Sequence, residues 1–222
     1  MTLLEALKER HSVRQFSTYD LKNEDIARID ALVTEVNRES GLAIRFIRHD
    51  EKAFTNFLAK YGKFTNVRNY LALVGEKDRE DLDEVCGYYG EKIVLTLQTM
   101  GLRTCFVGGT YRKDPAALKL AKEEKVVVLI AFGYGLNDGK PHVYRKPSEV
   151  SNLSDDSSDW FRKGLGGAMM APTALNQQKY FLREVEDGVE AKAGWGPFTK
   201  VDLGIVKFNF EVASGKDHSI WR

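Results

Sequence analysis

DLDEVCGYYGEKIVLTLQTMGLRTCFVGG, residues 81–109, is the stretch on which the fold turns. Val85, Tyr89, Ile93, Leu97 and Met100 recur at helical spacing, with Val94 beside them, so residues 81–100 read as the longest helix. Apolar residues nearly encircle its C-terminal half, which makes it a central helix rather than a surface one. Gly101 stops it, and RTCFVGGTY follows. On one side of this helix, NYLALVGE (Asn69–Glu76) is apolar almost throughout and too short for a helix, so it reads as a buried strand. On the other side, KVVVLIAFGYG (Lys125–Gly135) reads as a fully buried strand ending in a glycine loop.

Further out, LAIRFIRH (Leu42–His49) alternates like a strand, and a polar helical stretch runs from Glu51 to about Lys60. Leu3, Leu4 and Leu7 predict a short helix over residues 2–9. A second helix follows, with Asn23 as its cap, Glu24 and Asp25 in its first turn, and Gly41 at its end. Its apolar stripe is Ile26, Ile29, Leu32, Val33 and Val36. PSEVSNLSDDSSD (147–159) has almost no core formers and reads as a surface linker. Trp160–Ala171 is then helical, KYFLREVEDGVEAKAG is a hairpin turning at Asp187–Gly188, and Val201–Gly215 is another apolar helix. Helices and strands do not alternate strictly. The expected class is therefore α+β, a largely antiparallel or mixed sheet packed with helices around the long central one.

Composition excludes several functions. With 222 residues and 43% hydrophobic content, the chain can bury a sizeable core. Lys and Arg number 33 against 32 Asp and Glu, so a general nucleic-acid or membrane-surface binder is not expected and any anion site must be local. No apolar run approaches the ~20 residues of a membrane span, and MTLLEALKERHS reads as an amphipathic helix, not a signal peptide. The two cysteines, Cys86 and Cys105, and the scattered histidines, His11, His49, His142 and His218, lack metal-ligand spacing. A reducing, cytoplasmic setting is expected.

Four motifs carry chemistry. If Arg10-His11-Ser12-Val13-Arg14 is extended, its period of two places Arg10, Ser12 and Arg14 on one side. Two guanidinium groups and a hydroxyl suit a phosphate and ring carbonyls; the plainer reading is a basic turn at a helix end. Thr104–Gly109 puts paired glycines after the central helix, where backbone can approach a flat ligand, or simply make a turn. Cys105 reads as a small packed residue. Arg145-Lys146-Pro147 could clamp a phosphate or be an ordinary basic loop. Ala171-Pro172-Thr173-Ala174-Leu175-Asn176-Gln177-Gln178 offers a hydroxyl and several amides after a proline-ended helix, for a polar ligand edge or for capping.

Taken jointly, RHSVRQF after a short helix, a long apolar helix ending in GLRTCFVGG, a strand ending in FGYG, and then RKP resemble the nitroreductase family over about the first 150 residues. The resemblance implies FMN as cofactor and NAD(P)H as co-substrate, with no side chain acting as nucleophile. It implies that Arg10, Ser12 and Arg14 hold the phosphate and ring oxygens, with His11 contributing mainly backbone and Arg14 near the polar ring edge. Val107, Gly108 and Gly109 would line the ring, and Arg145 and Lys146 would complete the phosphate site.

The chain departs from the family pattern in its proline–serine–asparagine–glutamine loop. Nothing like it lies between Val36 and Phe64; PTALNQQ appears only near residue 172, followed by Lys179-Tyr180 where Pro-Trp is usual. This resembles a divergent branch. It implies a flavin-binding half at 1–150 and a second half at 151–222, read as a decayed second copy that lends Pro172, Thr173 and Asn176 to the flavin. Either a homodimer or a single-chain pseudo-dimer follows. The expected function is reduction of small electron-poor acceptors (nitro compounds, quinones or flavins). The alternatives are a non-catalytic FMN carrier or sensor, and an interaction module that lost the site.

Overall fold

The computed structural model of the chain describes residues 1–54, 62–112 and 118–222. Asn69–Glu76 forms β2, buried at every position but the last. It pairs antiparallel with β4, Glu124–Gly133, from Asn69 opposite Phe132 to Glu76 opposite Glu124, with a bulge between Leu73 and Val74. β1, Arg45–Ile47, and β3, Arg103–Val107, complete a four-stranded sheet of order β1-β2-β4-β3, antiparallel at every pairing. Tyr70, Ala72, Val74, Cys105, Val107, Leu129 and Ala131 join Val13, Phe16, Phe54 and Phe64 in one core cluster. Leu71, Leu73, Ile130 and Phe132 are equally buried. By strand periodicity they take the opposite face, which is why β2 and β4 run apolar without alternating in sequence.

The central helix, α3, spans Leu82–Thr99, and Ile93, Val94, Leu95 and Leu97 have no exposed surface. Contacts group the described residues into two interleaved units. One is Arg10–Leu82 with Ile93–Pro141; the other is Met1–Glu9, Asp83–Lys92 and His142–Arg222. α3 thus contributes its first part to one unit and its last part to the other. The units do not follow the sequence halves 1–150 and 151–222.

The sheet-bearing unit also holds α2, Asn23–Ser40, closed by Gly41 at φ +68°. Asn23 is not its cap: the cap position is Lys22, without a side-chain hydrogen bond, and Asn23 is already helical. The strand expected over 42–49 shrinks to Arg45–Ile47. Asn37 explains part of this, because its side chain donates to the Ile44 carbonyl and accepts from the Ile44 N–H, removing that residue from a ladder. Glu51–Phe54 is a 3-10 turn; the remainder of the helical stretch expected there, to about Lys60, lies outside the described residues.

The other unit contains α1, Leu3–Glu9, the short α4, Pro147–Val150, and α5, Asp159–Met169. It also contains the hairpin of β5, Tyr180–Val185, and β6, Gly188–Ala193, and finally α6, Thr199–Ser214. In α1, Ala6 and Leu7 are the buried residues, while Leu3 and Leu4 are exposed, so the expected stripe is only partly used. α5 packs on α6 through small residues: Gly164 faces the Phe210 ring and Gly167 the Asn209 carbonyl. α6 meets α3 as closely, with Gly204 against Glu84 and Tyr88, and Gly87 against Val201.

The stretch 147–159 is not a free linker. Val150 and Ser151 are buried, Ser151 pairs with Leu182 of β5, and Ser158 caps α5 while bonding Glu184. Glu184 lies on a strand about 25 residues further on, so no local pattern announces it.

Candidate functional site

The segment after α1 is held extended on both sides. Val13 N–H donates to the Thr104 carbonyl of β3 at 2.9 Å, and Thr65 N–H to the Arg14 carbonyl at 3.0 Å. Phe16 N–H donates to Thr65, Ser17 N–H to Tyr134, and Leu136 N–H to the Gln15 carbonyl. Val13 and Phe16, each 1% exposed, anchor it in the core. The alternate residues Arg10, Ser12 and Arg14 are thereby brought round Cys105. Burial raises the Cys105 thiol, while the positive charges of Arg14 and Arg10 and a hydrogen bond from Ser12 oppose that rise. The net shift is upward, so Cys105 stays a neutral packed thiol.

Arg10 is buried and Arg14 exposed, its guanidinium 5.9 Å from the Phe64 ring centroid. His11 is pushed down first by burial and then by the Arg10 charge, with Asp138 opposing. The loop after β4 braces this segment. Gly139, at φ +77°, lies so close that a Cβ there would sit 2.7 Å from the His11 Cβ and 3.1 Å from the Ser12 carbonyl oxygen. Asn137 donates to Gln15, and Arg103 pairs with Asp138 at 2.6 Å.

β3 then ends. Val107 is a core residue, leaving only its main chain for a ligand. Gly108 is half-buried and Gly109 exposed, and a Cβ on Gly109 would meet nothing within 4 Å. The Thr104 hydroxyl is buried with no hydrogen-bond partner among the described residues.

A second cluster forms in the other unit, from residues the sequence places far apart. Arg145 N–H donates to Gln178 Oε1 at 3.0 Å, and Asn176 Nδ2 to the Val143 carbonyl at 3.0 Å. Gln178 N–H donates to the Thr173 hydroxyl at 3.1 Å. Lys146 precedes α4, its N–H donating to Glu149, whose carboxylate lies 3.8 Å from the Arg145 guanidinium. Pro172 and Thr173 are half-buried and Asn176 is exposed. The predicted residues thus fall into two sets, Arg10 to Gly109 in the sheet-bearing unit and Arg145 to Asn176 in the other. Gln178, the last residue of the Ala171–Gln178 motif, and Asp202 organise the second set. Asp202 is not among the sequence-predicted residues; its signal is a lone carboxylate among apolar neighbours in VDLGI.

Two guanidinium groups and a hydroxyl within electrostatic reach of one thiol suit a phosphate, and open backbone at Gly109 suits a flat ring. The residues of the first set therefore fit a phosphate-bearing flavin. Among the described residues no helix is long and apolar enough to cross a membrane, and no group of His, Cys, Asp and Glu could hold a metal ion.

The fold is shared with solved proteins. A Thermotoga maritima protein described as a "putative nitroreductase" is 21% identical with a TM-score of 0.69, over 96% of this chain and 83% of its own. An FMN-dependent nitroreductase of Clostridium difficile is 16% identical with a TM-score of 0.51, over 69% and 98%. A Desulfovibrio desulfuricans relative solved in complex with FMN is 17% identical with a TM-score of 0.51, over 67% and 94%. No curated protein matches the sequence. The family described as "Putative TM nitroreductase" matches residues 2–214, and the chain belongs to it.

Proposed function

We propose that this protein binds FMN and is an oxidoreductase that uses NAD(P)H to reduce small electron-poor acceptors. The observation that carries the reading is the convergence of Arg10, Ser12 and Arg14 around Cys105 on an extended segment fixed to β3. Family membership and the FMN bound in the Desulfovibrio desulfuricans relative support the cofactor. FMN, when bound, would supply the redox chemistry. The chain's own residues would bind and orient it. Arg10 and Arg14 would neutralise phosphate charge, with Ser12 donating a hydrogen bond. The Gly108–Gly109 backbone would admit the ring. Arg145, Lys146, Pro172, Thr173 and Asn176 would form a second set of flavin contacts.

The test is the visible spectrum of purified protein before and after incubation with FMN and desalting. Retained flavin near one per chain, bleached by NADH or NADPH, is the expected result. Flavin that is retained but not bleached would assign a carrier or sensor. A colourless protein after reconstitution would overturn the proposal.

A further inference from the structure

The turn that carries Thr173 and Asn176 has an unusual backbone. Leu175, Asn176 and Gln178 take left-handed φ values of 54°, 52° and 46°. Non-glycine residues hold such conformations only where surrounding contacts over-determine them. The contacts here come from two buried side chains. Gln178, 4% exposed, accepts from Arg145 N–H at 3.0 Å through Oε1 and donates through Nε2 to the Val143 carbonyl at 2.8 Å and to Asn176 Oδ1 at 3.0 Å. Asp202, 2% exposed at the start of α6, accepts from Ala174 N–H through Oδ1 and from Gln177 Nε2 through Oδ2, both at 2.8 Å. The same Gln177 amide reaches the Pro197 carbonyl at 2.8 Å.

We propose that Gln178 and Asp202 are positioning residues: Gln178 ties the main chain at Arg145 to the Thr173–Asn176 turn, and Asp202 anchors that turn to α6. Arg145, Thr173 and Asn176 are thereby presented as one preorganised set. The role rests on the proposed FMN reading, since it is FMN that the set would meet. Preorganisation matters because a ligand that must first order a turn binds more weakly by that ordering cost. Neither side chain need touch the ligand. Gln178 has no spare donor, as both amide hydrogens are committed to Val143 and Asn176.

The test reads amide hydrogen exchange in the flavin-free protein and FMN affinity by titration, on the same variants. Gln178→Ala should speed exchange at Arg145 and across 173–178 at least tenfold and weaken FMN about tenfold. Gln178→Glu keeps an acceptor for Arg145 N–H but cannot donate to Val143. Arg145 should therefore stay protected while the turn loosens, a split that general destabilisation would not give. Asp202→Ala should release Ala174 while leaving Arg145 protected. Unchanged exchange in Gln178→Ala and Asp202→Ala would overturn the proposal, as would altered exchange with unchanged FMN affinity. A wild-type protein that binds no FMN overturns the functional reading and this role with it. A wild type that binds FMN as tightly as the variants overturns the role alone.

Discussion

Replacing Gly204 with alanine tests the packing of α6 on α3 most directly. A Cβ there would lie 2.0 Å from the Glu84 carbonyl oxygen and 2.6 Å from the Tyr88 nitrogen. Both are backbone atoms inside a helix, so no rotamer change relieves the contact. Ordinary van der Waals separation would require the two helices to part by more than an ångström. A radial gap of ~0.5–1 Å already forfeits a quarter to a half of each dispersion contact. Gly87, whose Cβ would lie 2.0 Å from the Val201 carbonyl oxygen, shows that the same crossing is tight at a second point. Overpacking of this kind costs about 1–3 kcal/mol, and a backbone-on-backbone clash belongs at the upper end. For a chain of this length, ~3 kcal/mol is a fall of roughly 6–12 °C in thermal midpoint. Gly166→Ala is the matched control: it also lies within a helix, α5, but its added Cβ meets nothing within 4 Å. It should gain about 0.5–1 kcal/mol by restricting the unfolded chain. Thermal unfolding followed by far-ultraviolet circular dichroism reads both. A Gly204→Ala protein melting within 2 °C or so of wild type would refute the crossing as described.

Other outcomes follow from single sites. Arg14→Ala, at an exposed position, should leave the melting curve nearly unchanged and weaken FMN by roughly 10–100-fold, the worth of a charge-assisted hydrogen bond; isothermal titration measures it. Burial raises the Asp202 carboxyl from its ordinary 3.8 to about 6, against the hydrogen bonds from Ala174 and Gln177 that lower it. The folded state therefore holds this proton more tightly than the unfolded chain, and the group's contribution to stability is full below the unfolded value and lost as pH rises through about 6. Wild-type stability relative to Asp202→Asn should fall by about 3 kcal/mol at most between pH 4 and 7, which paired denaturant titrations would show or contradict. Leu175→Gly removes a side chain that is 91% exposed and relieves a left-handed φ of 54°. It should stabilise by about 0.5–1 kcal/mol, and a lower midpoint would mean that Leu175 packs on something.

Much of the fold was legible because its strongest signals are local. β2 begins and ends where the apolar run does and α3 where the helical period does; the β5–β6 hairpin forms where expected, but its turn residues are Glu186 and Asp187, not Asp187 and Gly188, because Gly188 already pairs with Val185 in β6. What failed depended on distant partners. The strand at 42–49 is cut short by the Asn37 side chain, and the cap expected from Asn23 is missing. The expected linker is held by Leu182 and Glu184. The site shows the same division. The alternation of Arg10, Ser12 and Arg14 is legible because an extended segment puts every second residue on one side, whereas Gln178 and Asp202 act through main-chain groups whose positions exist only after folding. The missing Pro-Trp after the glutamine pair gains a local explanation: Lys179 Nζ donates to the Trp195 carbonyl, and Tyr180 is buried in β5.

The interleaving of the two units has a consequence for synthesis. α1 and α6, which pack against each other, are separated by about 190 residues of chain. At ~5–20 residues per second, α1 leaves the ribosome roughly 10–40 s ahead of its partner. Seven residues are too few to stay helical alone. The sheet-bearing unit, by contrast, has all its residues by Pro141. During translation the sheet can therefore form before the contact between α1 and α6 is made, and a stalled chain ending before Thr199 lacks that contact although nothing in its own sequence has been altered.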